Sequence, residues 1–408
     1  MTLSLNVIPI DIQRIIIYFL TLKEWNSITR TNKQYRGYAQ DMKLHFFPTK
    51  IIYHAKTKEE LKYLMNRRIY QIDLTYYSDK DLNYLHGMPL QTIDLRRYKG
   101  SLESLRGMPV RSIYLSFYNG SLEPLRDMPI EEIHLASFTK CLEPLRGMPI
   151  RTISLNSYNG SLEPLRGMSI HAINLVSYNG SLEALRGIPI QNISLHSYTG
   201  SLEPLRDLDA LRGMPIQFID LYSYNGILEP LRGMPIQTIY LNSYKGSLEP
   251  LRGLDALRGL DALRGMPIQT IHLNSYKGSL EPLHGMSIQV IYLQSYTGSL
   301  EPLRGMSIRT IYLNSYNGSL EPLRGMPIKM IDLRSYKGRL EPLRGLDALR
   351  NLDALRNLDA LRGMPIETIN LQSYNGSLEP LRGMPIQTIN LQSYIGSLEA
   401  WFNQNAEK

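Results

Sequence analysis

The sequence predicts a repeat solenoid with a parallel β-sheet on its concave face, short irregular or single-turn segments on its convex face, and a small all-α module at its N-terminus. Two observations predict this fold class. A unit of 20 residues, MPIQTIYLNSYKGSLEPLRG at 234–253, recurs along most of the chain. Residues 7–38 lack this unit and instead carry apolar residues at helical spacing.

Successive units open 20 residues apart, except for three spacings of 26, 32 and 38 residues. Each exception equals 20 plus one, two or three copies of a six-residue LDALRG block. A degenerate unit at 67–87 precedes the regular ones. We therefore predict a solenoid of about 15 units at 67–400, with hexamer insertions at 208–213, 254–265 and 346–363. The 14 regular units open at Met88, Met108, Met128, Met148, Met168, Ile188, Met214, Met234, Met266, Met286, Met306, Met326, Met364 and Met384.

Each unit combines a strand, a turn and a return segment. In TIYLN apolar and polar residues alternate, which predicts a half-buried strand with Ile239 and Leu241 on one side. Gly246 predicts a turn, since glycine accepts a positive φ. Leu248 and Leu251 stand three residues apart and predict a return segment of at most one helical turn. Stacked copies would bury these side chains in one continuous core.

The pattern I-x-x-I-x-L-x-x-Y-x-G-x-L-x-x-L resembles the leucine-rich-repeat family, whose repeat reads L-x-x-L-x-L-x-x-N-x-L. The resemblance covers 67–400 and implies a leucine-rich-repeat-like solenoid. This chain holds a tyrosine, such as Tyr244, where the family has asparagine. We expect stacked aromatic rings to fill the turn, and the preceding Ser243 to satisfy the backbone groups that an asparagine amide would satisfy.

The return segments carry glutamate and arginine in fixed columns, as in Glu249 and Arg252. Adjacent columns of opposite charge predict a solvated, neutralised outer face. In the hexamer the leucines recur every three residues, so no single face of a helix stays apolar. We expect the longer insertions to bulge outward from the back of the solenoid.

Residues 1–45 form the predicted N-terminal module. IPIDI at 8–12, I-x-x-x-L at 16–20 and KQYR at 33–36 resemble the F-box family, in which an L-P-x-[DE]-[IL] start leads to I-x-x-x-L and a basic-aromatic end. The resemblance implies docking onto the Skp-type adaptor of a cullin ubiquitin ligase. The residues that would face the adaptor are Pro9, Ile12, Ile16, Leu20 and Trp25.

The alternative is that these helices only cap the open end of the solenoid, as terminal repeats require. The connector at 46–66 already offers a strand and helix for that purpose, because Thr57 and Glu60 predict a capping box. This favours docking over capping for the module. At the other end, 401–408 is predicted to be a C-terminal cap and tail.

The charge of the chain is uneven. The formal net charge is +8, and residues 1–70 hold twelve Lys or Arg against five Asp or Glu, which leaves +1 for the rest. A nearly neutral body argues against nucleic-acid binding along the solenoid. The single cysteine, Cys141, suits a reducing compartment, and no export signal or membrane-spanning stretch occurs. We expect a cytoplasmic or nuclear protein without membrane contact.

Sequence motifs for catalysis are absent. The eight histidines show no metal-ligand spacing, and no P-loop, G-x-G-x-x-G or G-x-S-x-G string occurs. We therefore expect no cofactor, no metal and no enzymatic activity. Near-identical repeats after an F-box-like start resemble proteins of giant viruses and amoebae; for a viral protein the location would be the host cytoplasm.

Variation among the units is concentrated on the outward face of the strands, in two columns of side chains. Free drift of exposed positions is one explanation, and a recognition surface for a client protein is the other, since tyrosine is a favoured interface anchor. We therefore predict a non-enzymatic adaptor that recruits a client, or alternatively a binding or structural solenoid without a ligase. The predicted client-binding residues are Tyr222, Tyr240, His272, Tyr292 and Tyr312.

Overall fold

The computed structural model describes residues 52–65, 69–199, 208–244, 260–336, 358–361, 363–374, 378 and 381–394. The predicted module at 1–45 and the tail at 401–408 lie outside them. Within these residues, sixteen strands form one parallel sheet whose spatial order follows the chain. They are β1 (Ile52–His54), β2 (Gln71–Asp73), β3 (Thr92–Asp94), β4 (Ser112–Tyr114), β5 (Glu132–His134), β6 (Thr152–Ser154), β7 (Ala172–Asn174), β8 (Asn192–Ser194), β9 (Phe218–Asp220), β10 (Thr238–Tyr240), β11 (Thr270–His272), β12 (Val290–Tyr292), β13 (Thr310–Tyr312), β14 (Met330–Asp332), β15 (Thr368–Asn370) and β16 (Thr388–Asn390).

Neighbouring strands pair equivalent residues of successive units. Ile311 of β13, for example, lies opposite Ile291 of β12 and Ile331 of β14. The register is unchanged where two hexamers intervene, since Ile239 of β10 lies opposite Ile271 of β11. The predicted parallel sheet and repeat solenoid are confirmed.

The core is one continuous region in which the apolar side chains of neighbouring coils pack together. Ile239 and Leu241 are fully buried, as the alternation in the strand predicted, and the methionine that opens the unit, Met234, is also buried. The equivalents of Ile239 and Leu241 are buried from β2 to β15, those of Met234 are buried from β3 to β15, and all belong to one continuous cluster. A single coil could not shield this surface, so each coil depends on its neighbours for stability.

The convex side consists of single 3-10 turns, which confirms the short return segments. In one coil Leu162 and Leu165 point inward and are buried, while Glu163 and Arg166 stay about half exposed. Arg166 Nη2 donates to Glu163 Oε2 at 2.9 Å, and this bond lowers the pKa of the Glu163 carboxyl. The predicted neutralised outer face is therefore built mainly from pairs within single coils. The described turns are Asn83–Leu85, Glu103–Leu105, Glu123–Leu125, Glu143–Leu145, Glu163–Leu165, Glu183–Leu185, Asp209–Leu211, Glu229–Leu231, Asp261–Leu263, Glu281–Leu283, Glu301–Leu303, Glu321–Leu323 and Leu358–Leu361.

The last LDALRG copy of each insertion belongs to the stack. Asp209–Leu211, Asp261–Leu263 and Leu358–Leu361 form 3-10 turns at the place where other coils have the sequence EPL. Leu208 and Leu211 are fully buried there. We expected the longer insertions to bulge outward, and their last copies do not. The extra residues instead precede these turns and lie outside the described residues.

A column of aromatic rings, buried as far as Tyr374, fills the turns that follow β3 to β16. Tyr178 stacks between Tyr158 and Tyr198, with ring centroids 6.5 and 6.3 Å apart. Its hydroxyl donates to the carbonyl of Gly160 in the preceding coil at 3.2 Å. We call this set the tyrosine column: Tyr98, Tyr118, Phe138, Tyr158, Tyr178, Tyr198, Tyr224, Tyr244, Tyr276, Tyr296, Tyr316, Tyr336, Tyr374 and Tyr394.

The tyrosine hydroxyl therefore satisfies a loop carbonyl, a task that we had expected the serine to perform. The serine contributes through its backbone. Ser177 adopts a left-handed φ of 59°, and its N–H donates to the carbonyl of His196 in the next coil at 2.8 Å. The serine and the phenol thus share the task, because the serine N–H bonds to the next coil and the phenol hydroxyl bonds to the preceding one.

The turn glycine is required for a reason other than the one predicted. Gly246 lies outside the described residues, but its equivalent Gly180 has no positive φ. A Cβ at Gly180 would lie 2.3 Å from Tyr178 Oη and 2.6 Å from Tyr178 Cζ. Glycine is needed there so that the ring can approach the backbone. Positive φ occurs instead at the last glycine of the unit, such as Gly167 at 72°.

A short helix, α1 (Lys58–Leu64), follows β1 at the N-terminal end of the sheet. Thr57 Oγ1 accepts a hydrogen bond from Glu60 N at 3.2 Å, which confirms Thr57 as the cap. Glu60 Oε2 in turn accepts from Lys56 N at 2.7 Å. No helix in the described part of the chain is long and apolar enough to cross a bilayer.

Candidate functional site on the concave face

The concave face is the solvent-facing side of the sheet, and each coil contributes three side chains to it. In β12 and the residues after it, Val290, Tyr292 and Gln294 point outward, while Ile291 and Leu293 are fully buried. Because all coils share one register, equivalent side chains form three columns. Neighbours in a column are about 4.8 Å apart, the spacing of paired strands.

Four of the five predicted client-binding residues lie together in the middle column. Tyr240 contacts His272 edge to face at a centroid distance of 3.8 Å. His272 stacks on Tyr292 at 3.8 Å, and Tyr292 stacks on Tyr312 at 4.1 Å. We call Tyr240, His272, Tyr292 and Tyr312 the aromatic ladder. Phe218 extends it, because its ring meets Tyr240 edge-on at 5.2 Å.

The fifth predicted residue, Tyr222, lies in the neighbouring column. Its ring stacks on His196 at 4.3 Å rather than on the ladder. Sequence reasoning did not select His196 or Phe218, although alignment of the units places both on the outward side of the strands. A separate stacked pair, Tyr114 and His134 at 4.4 Å, also lies in the middle column.

The ladder carries no formal charge. Burial lowers the pKa of His272 to about 4, so its imidazole is neutral at physiological pH. Burial also raises the pKa of Tyr240, and burial together with a hydrogen bond to the Tyr312 hydroxyl raises the pKa of Tyr292. The twelve outward residues of these coils include no Asp, Glu, Lys or Arg: Thr238, Tyr240, Asn242, Thr270, His272, Asn274, Val290, Tyr292, Gln294, Thr310, Tyr312 and Asn314.

Amide side chains flank the ladder in the third column. Asn242 Oδ1 accepts a hydrogen bond from Asn274 N at 3.0 Å, and Asn274 Oδ1 accepts from Gln294 N at 2.9 Å. A backbone N–H can only donate, so the atom that contacts it must be the amide oxygen. The NH₂ groups of Asn242 and Asn274 are therefore the parts of these amides that point away from the sheet backbone.

Carboxylates mark both ends of the ladder in the middle column. Asp220 precedes Tyr240 and accepts from Ser194 Oγ at 3.2 Å. Asp332 follows Tyr312, is almost fully buried, and pairs with Arg334 Nη2 at 2.7 Å. The uncharged stretch of the concave face thus begins and ends at defined coils.

A serine, a glutamate and a histidine meet on β4 and β5, but their order is wrong for nucleophilic catalysis. Glu132 Oε2 accepts from Ser112 Oγ at 2.7 Å, and Glu132 Oε1 lies 2.8 Å from His134 Nε2. A catalytic histidine must contact the serine hydroxyl in order to take its proton, and here the carboxylate separates the two.

Among the described residues, no three His, Cys, Asp or Glu side chains come together as metal ligands. The predicted adaptor-facing residues Pro9, Ile12, Ile16, Leu20 and Trp25 lie outside the described residues.

Comparison with known proteins supports the fold assignment. No family model and no curated protein matches the sequence. The TLR13–ssRNA13 complex matches with 13% identity and a TM-score of 0.52, over 80% of this chain but only 50% of that one. An internalin of Listeria monocytogenes matches with 14% identity and a TM-score of 0.42, over 74% and 86% of the two chains. A leucine-rich-repeat protein of Leptospira interrogans matches with 11% identity and a TM-score of 0.41, over 87% and 86%. The chain thus has the fold of a leucine-rich-repeat solenoid.

Proposed function

We propose that this chain is a non-enzymatic adaptor whose concave face binds a client protein and whose N-terminal module docks onto the Skp-type adaptor of a cullin ubiquitin ligase. The observation that carries the client-binding part is the aromatic ladder. Tyrosines are common anchors of protein interfaces, because one ring contributes a large contact area and a hydroxyl at a small entropic cost. A sheet held in register over sixteen strands would present these anchors without rearrangement.

A nucleic-acid ligand is the less favoured alternative, although TLR13 was solved in a complex with ssRNA. From β3 to β16 the outward columns contain only two cationic residues, Arg96 and Arg334. Each of them is paired with an aspartate two residues earlier, Asp94 or Asp332, at 2.6 and 2.7 Å. Phosphate groups would find no uncompensated positive charge on this face.

The ligase-docking part rests on the F-box resemblance of residues 7–45 and on the basic character of residues 1–70. A client held on the concave face would be brought close to the catalytic arm of the ligase, and ubiquitin transfer would gain from proximity alone. Such a role places the protein in the cytoplasm or nucleus. The exposed thiol of Cys141 is compatible with a reducing compartment.

The docking part is tested by co-purification of the full chain with a Skp-type adaptor. Ile16→Asp should abolish capture, because it puts a charge on the predicted adaptor-facing surface. Gln13→Asp, the matched control, adds the same charge outside that surface and should leave capture unchanged. Absence of capture by the wild-type chain would remove the ligase from the proposal and leave a binding solenoid.

The client-binding part is tested by comparing proteins that co-purify with the wild-type chain and with Tyr292→Ala. Clients should be lost from the variant, since truncation of a central aromatic anchor typically weakens an interface by about 2 kcal/mol or more. Asn174→Ala changes the same column on β7, away from the ladder, and should retain the clients. Equal recovery with both variants would contradict binding at the ladder.

A further inference from the structure

The ring faces of the two inner residues of the aromatic ladder, His272 and Tyr292, are already occupied. His272 and Tyr292 are covered on both sides by neighbouring rings, with centroid distances of 3.8 to 4.1 Å. On the side of β9, Phe218 contacts the Tyr240 ring with the two ring planes nearly perpendicular. Sugars, nucleobases and cations bind aromatic side chains through the ring face. None of them can enter between these rings without breaking the stack.

What the ladder offers to a partner is a row of ring edges and polar atoms. The edge of an aromatic ring carries partial positive charge. The hydroxyls of Tyr292 and Tyr312 share one hydrogen bond, so this pair adds one free phenol O–H donor. The NH₂ groups of Asn242 and Asn274 lie beside this row, since their oxygens are bound to the backbone. The surface is thus rich in hydrogen-bond donors, and it carries no formal charge because the imidazole of His272 is neutral.

We infer that the segment bound at the ladder is an extended polypeptide with uncharged side chains, which presents its backbone carbonyls to this row of donors. Peptide carbonyls are neutral acceptors and match a donor-rich surface without charge. An anionic or cationic segment would lose its hydration here without gaining an opposite charge. This inference rests on the proposed binding of a protein client at the same site.

The length of the recognised segment follows from the spacing of the strands. From Phe218 to Tyr312 the ladder crosses four inter-strand steps, or about 19 Å. An extended chain rises about 3.3 Å per residue, so about six residues span the ladder. Charged residues are excluded only between Asp220, which lies on β9 with Phe218, and the Asp332–Arg334 pair, which begins on β14 one strand beyond Tyr312.

The test is an array of random synthetic peptides about twelve residues long, roughly twice the span of the ladder, probed with the full-length chain. Peptides that bind should be depleted of Asp, Glu, Lys and Arg over about six consecutive residues. Their affinity should change less than about twofold between 0.05 and 0.5 M salt, because no ion pairs form. Enrichment of acidic or basic peptides, binding that falls steeply with salt, or no binding at all would overturn the inference.

One substitution reverses the donor character of the surface with almost no change in shape. Asn274→Asp keeps the oxygen that accepts from Gln294 N but replaces the NH₂ group with a charged oxygen. Affinity for the selected peptides should fall by about tenfold or more. The control is Asn174→Asp on β7, where the same change keeps the acceptor for Val176 N at 3.2 Å, and affinity should stay within about twofold. Tighter binding by Asn274→Asp would point to a basic partner and refute the inference.

The inference and the proposed function fail in different ways. If Tyr292→Ala abolishes client binding while the selected peptides are charged, the site is correct and the partner chemistry is wrong. If Tyr292→Ala leaves client recovery and peptide affinity unchanged, the ladder is not the binding site. The inference and the proposed client-binding function are then both wrong. Separate probes, a single-stranded oligonucleotide and a linear oligosaccharide, should not compete with the bound peptide, and competition by either would show that another class of ligand is bound.

Discussion

Replacement of Gly180 by alanine tests whether the packed ring of the tyrosine column prevents any side chain at the turn glycine. The backbone of Gly180 has no positive φ, so alanine there would ordinarily raise stability by about 0.4–1 kcal/mol. The new Cβ would instead lie 2.3 Å from Tyr178 Oη and 2.6 Å from Cζ. The ring cannot yield easily, because Tyr158 and Tyr198 stack on its two faces. We expect Gly180→Ala to lower the free energy of unfolding by about 2 kcal/mol. The loss comes from overpacking and from breakage of the hydrogen bond between the Tyr178 hydroxyl and the Gly160 carbonyl.

The measurement is native-state hydrogen exchange, because a repeat array can open locally without unfolding as a whole. The amide of Ser177, bound to the His196 carbonyl, should exchange about 30-fold faster, which is the equivalent of 2 kcal/mol. The amide of Ser315, in a distant coil, should not change. In a Tyr178→Ala background the same glycine substitution should no longer destabilise and should raise stability by up to about 1 kcal/mol, since the obstructing ring is gone. Unchanged exchange in Gly180→Ala, or an equal loss in both backgrounds, would refute the steric explanation.

A second glycine of the unit serves as the matched control. Gly167 has a φ of 72° and no heavy atom within 4 Å of an added Cβ. Its equivalent in another coil is Asp127, which holds a φ of 62°. Gly167→Asp should therefore cost less than about 1 kcal/mol, because aspartate tolerates the left-handed region and meets no obstacle. A loss as large as that of Gly180→Ala would show that any change in these turns is harmful.

Three further predictions concern the hydroxyl, the outer face and the imidazole. Tyr336→Phe removes the hydrogen bond to the Gly318 carbonyl at 2.9 Å and should lower the free energy of unfolding by about 1 kcal/mol in thermal denaturation; no loss would contradict a role for the phenol. Glu163→Gln should leave Tm unchanged, since its ion pair is exposed, and a clear fall would indicate a network. Because the folded-state pKa of His272 lies below the ordinary value of 6.5, the neutral imidazole stabilises fully above about pH 6.5, and this contribution is lost as the pH falls towards 4. The advantage of wild type over His272→Gln should shrink by about 1–2 kcal/mol over that range in urea titrations, after allowance for partial exposure of the ring, and a constant difference would contradict the lowered pKa.

The fold could be predicted from the sequence because the same physical requirement recurs in each unit. Burial of Ile239 and Leu241 on one side of a strand follows from alternation, and stacking follows because one coil cannot shield those residues. The paired charges of the outer face followed from two columns of opposite sign. Neither inference needed knowledge of the side-chain geometry within the turn.

The interior of the turn could not be predicted, because it depends on contacts between coils. The sequence places a tyrosine and a glycine two residues apart, but not the approach of the Tyr178 ring to Gly180. The hydroxyl bond to Gly160 crosses to the preceding coil and leaves no local signal. In the ladder, likewise, alignment of the units put Tyr292 beside Tyr312, whereas the occupied ring faces and the neutral His272 required distances and burial.

Because the last hexamer copy of each insertion takes its place in the stack, the chain can become longer without any change in the geometry of the sheet. The residues between β8 and the turn at Asp209–Leu211 exceed the usual number by six, yet Ile193 still lies opposite Ile219. Duplication of LDALRG therefore lengthens the chain in the connection between a strand and the following turn, and the hydrogen-bond register of the sheet does not change. These connections are therefore sites where residues can be inserted, by evolution or by design, while the side-chain columns of the concave face stay in register.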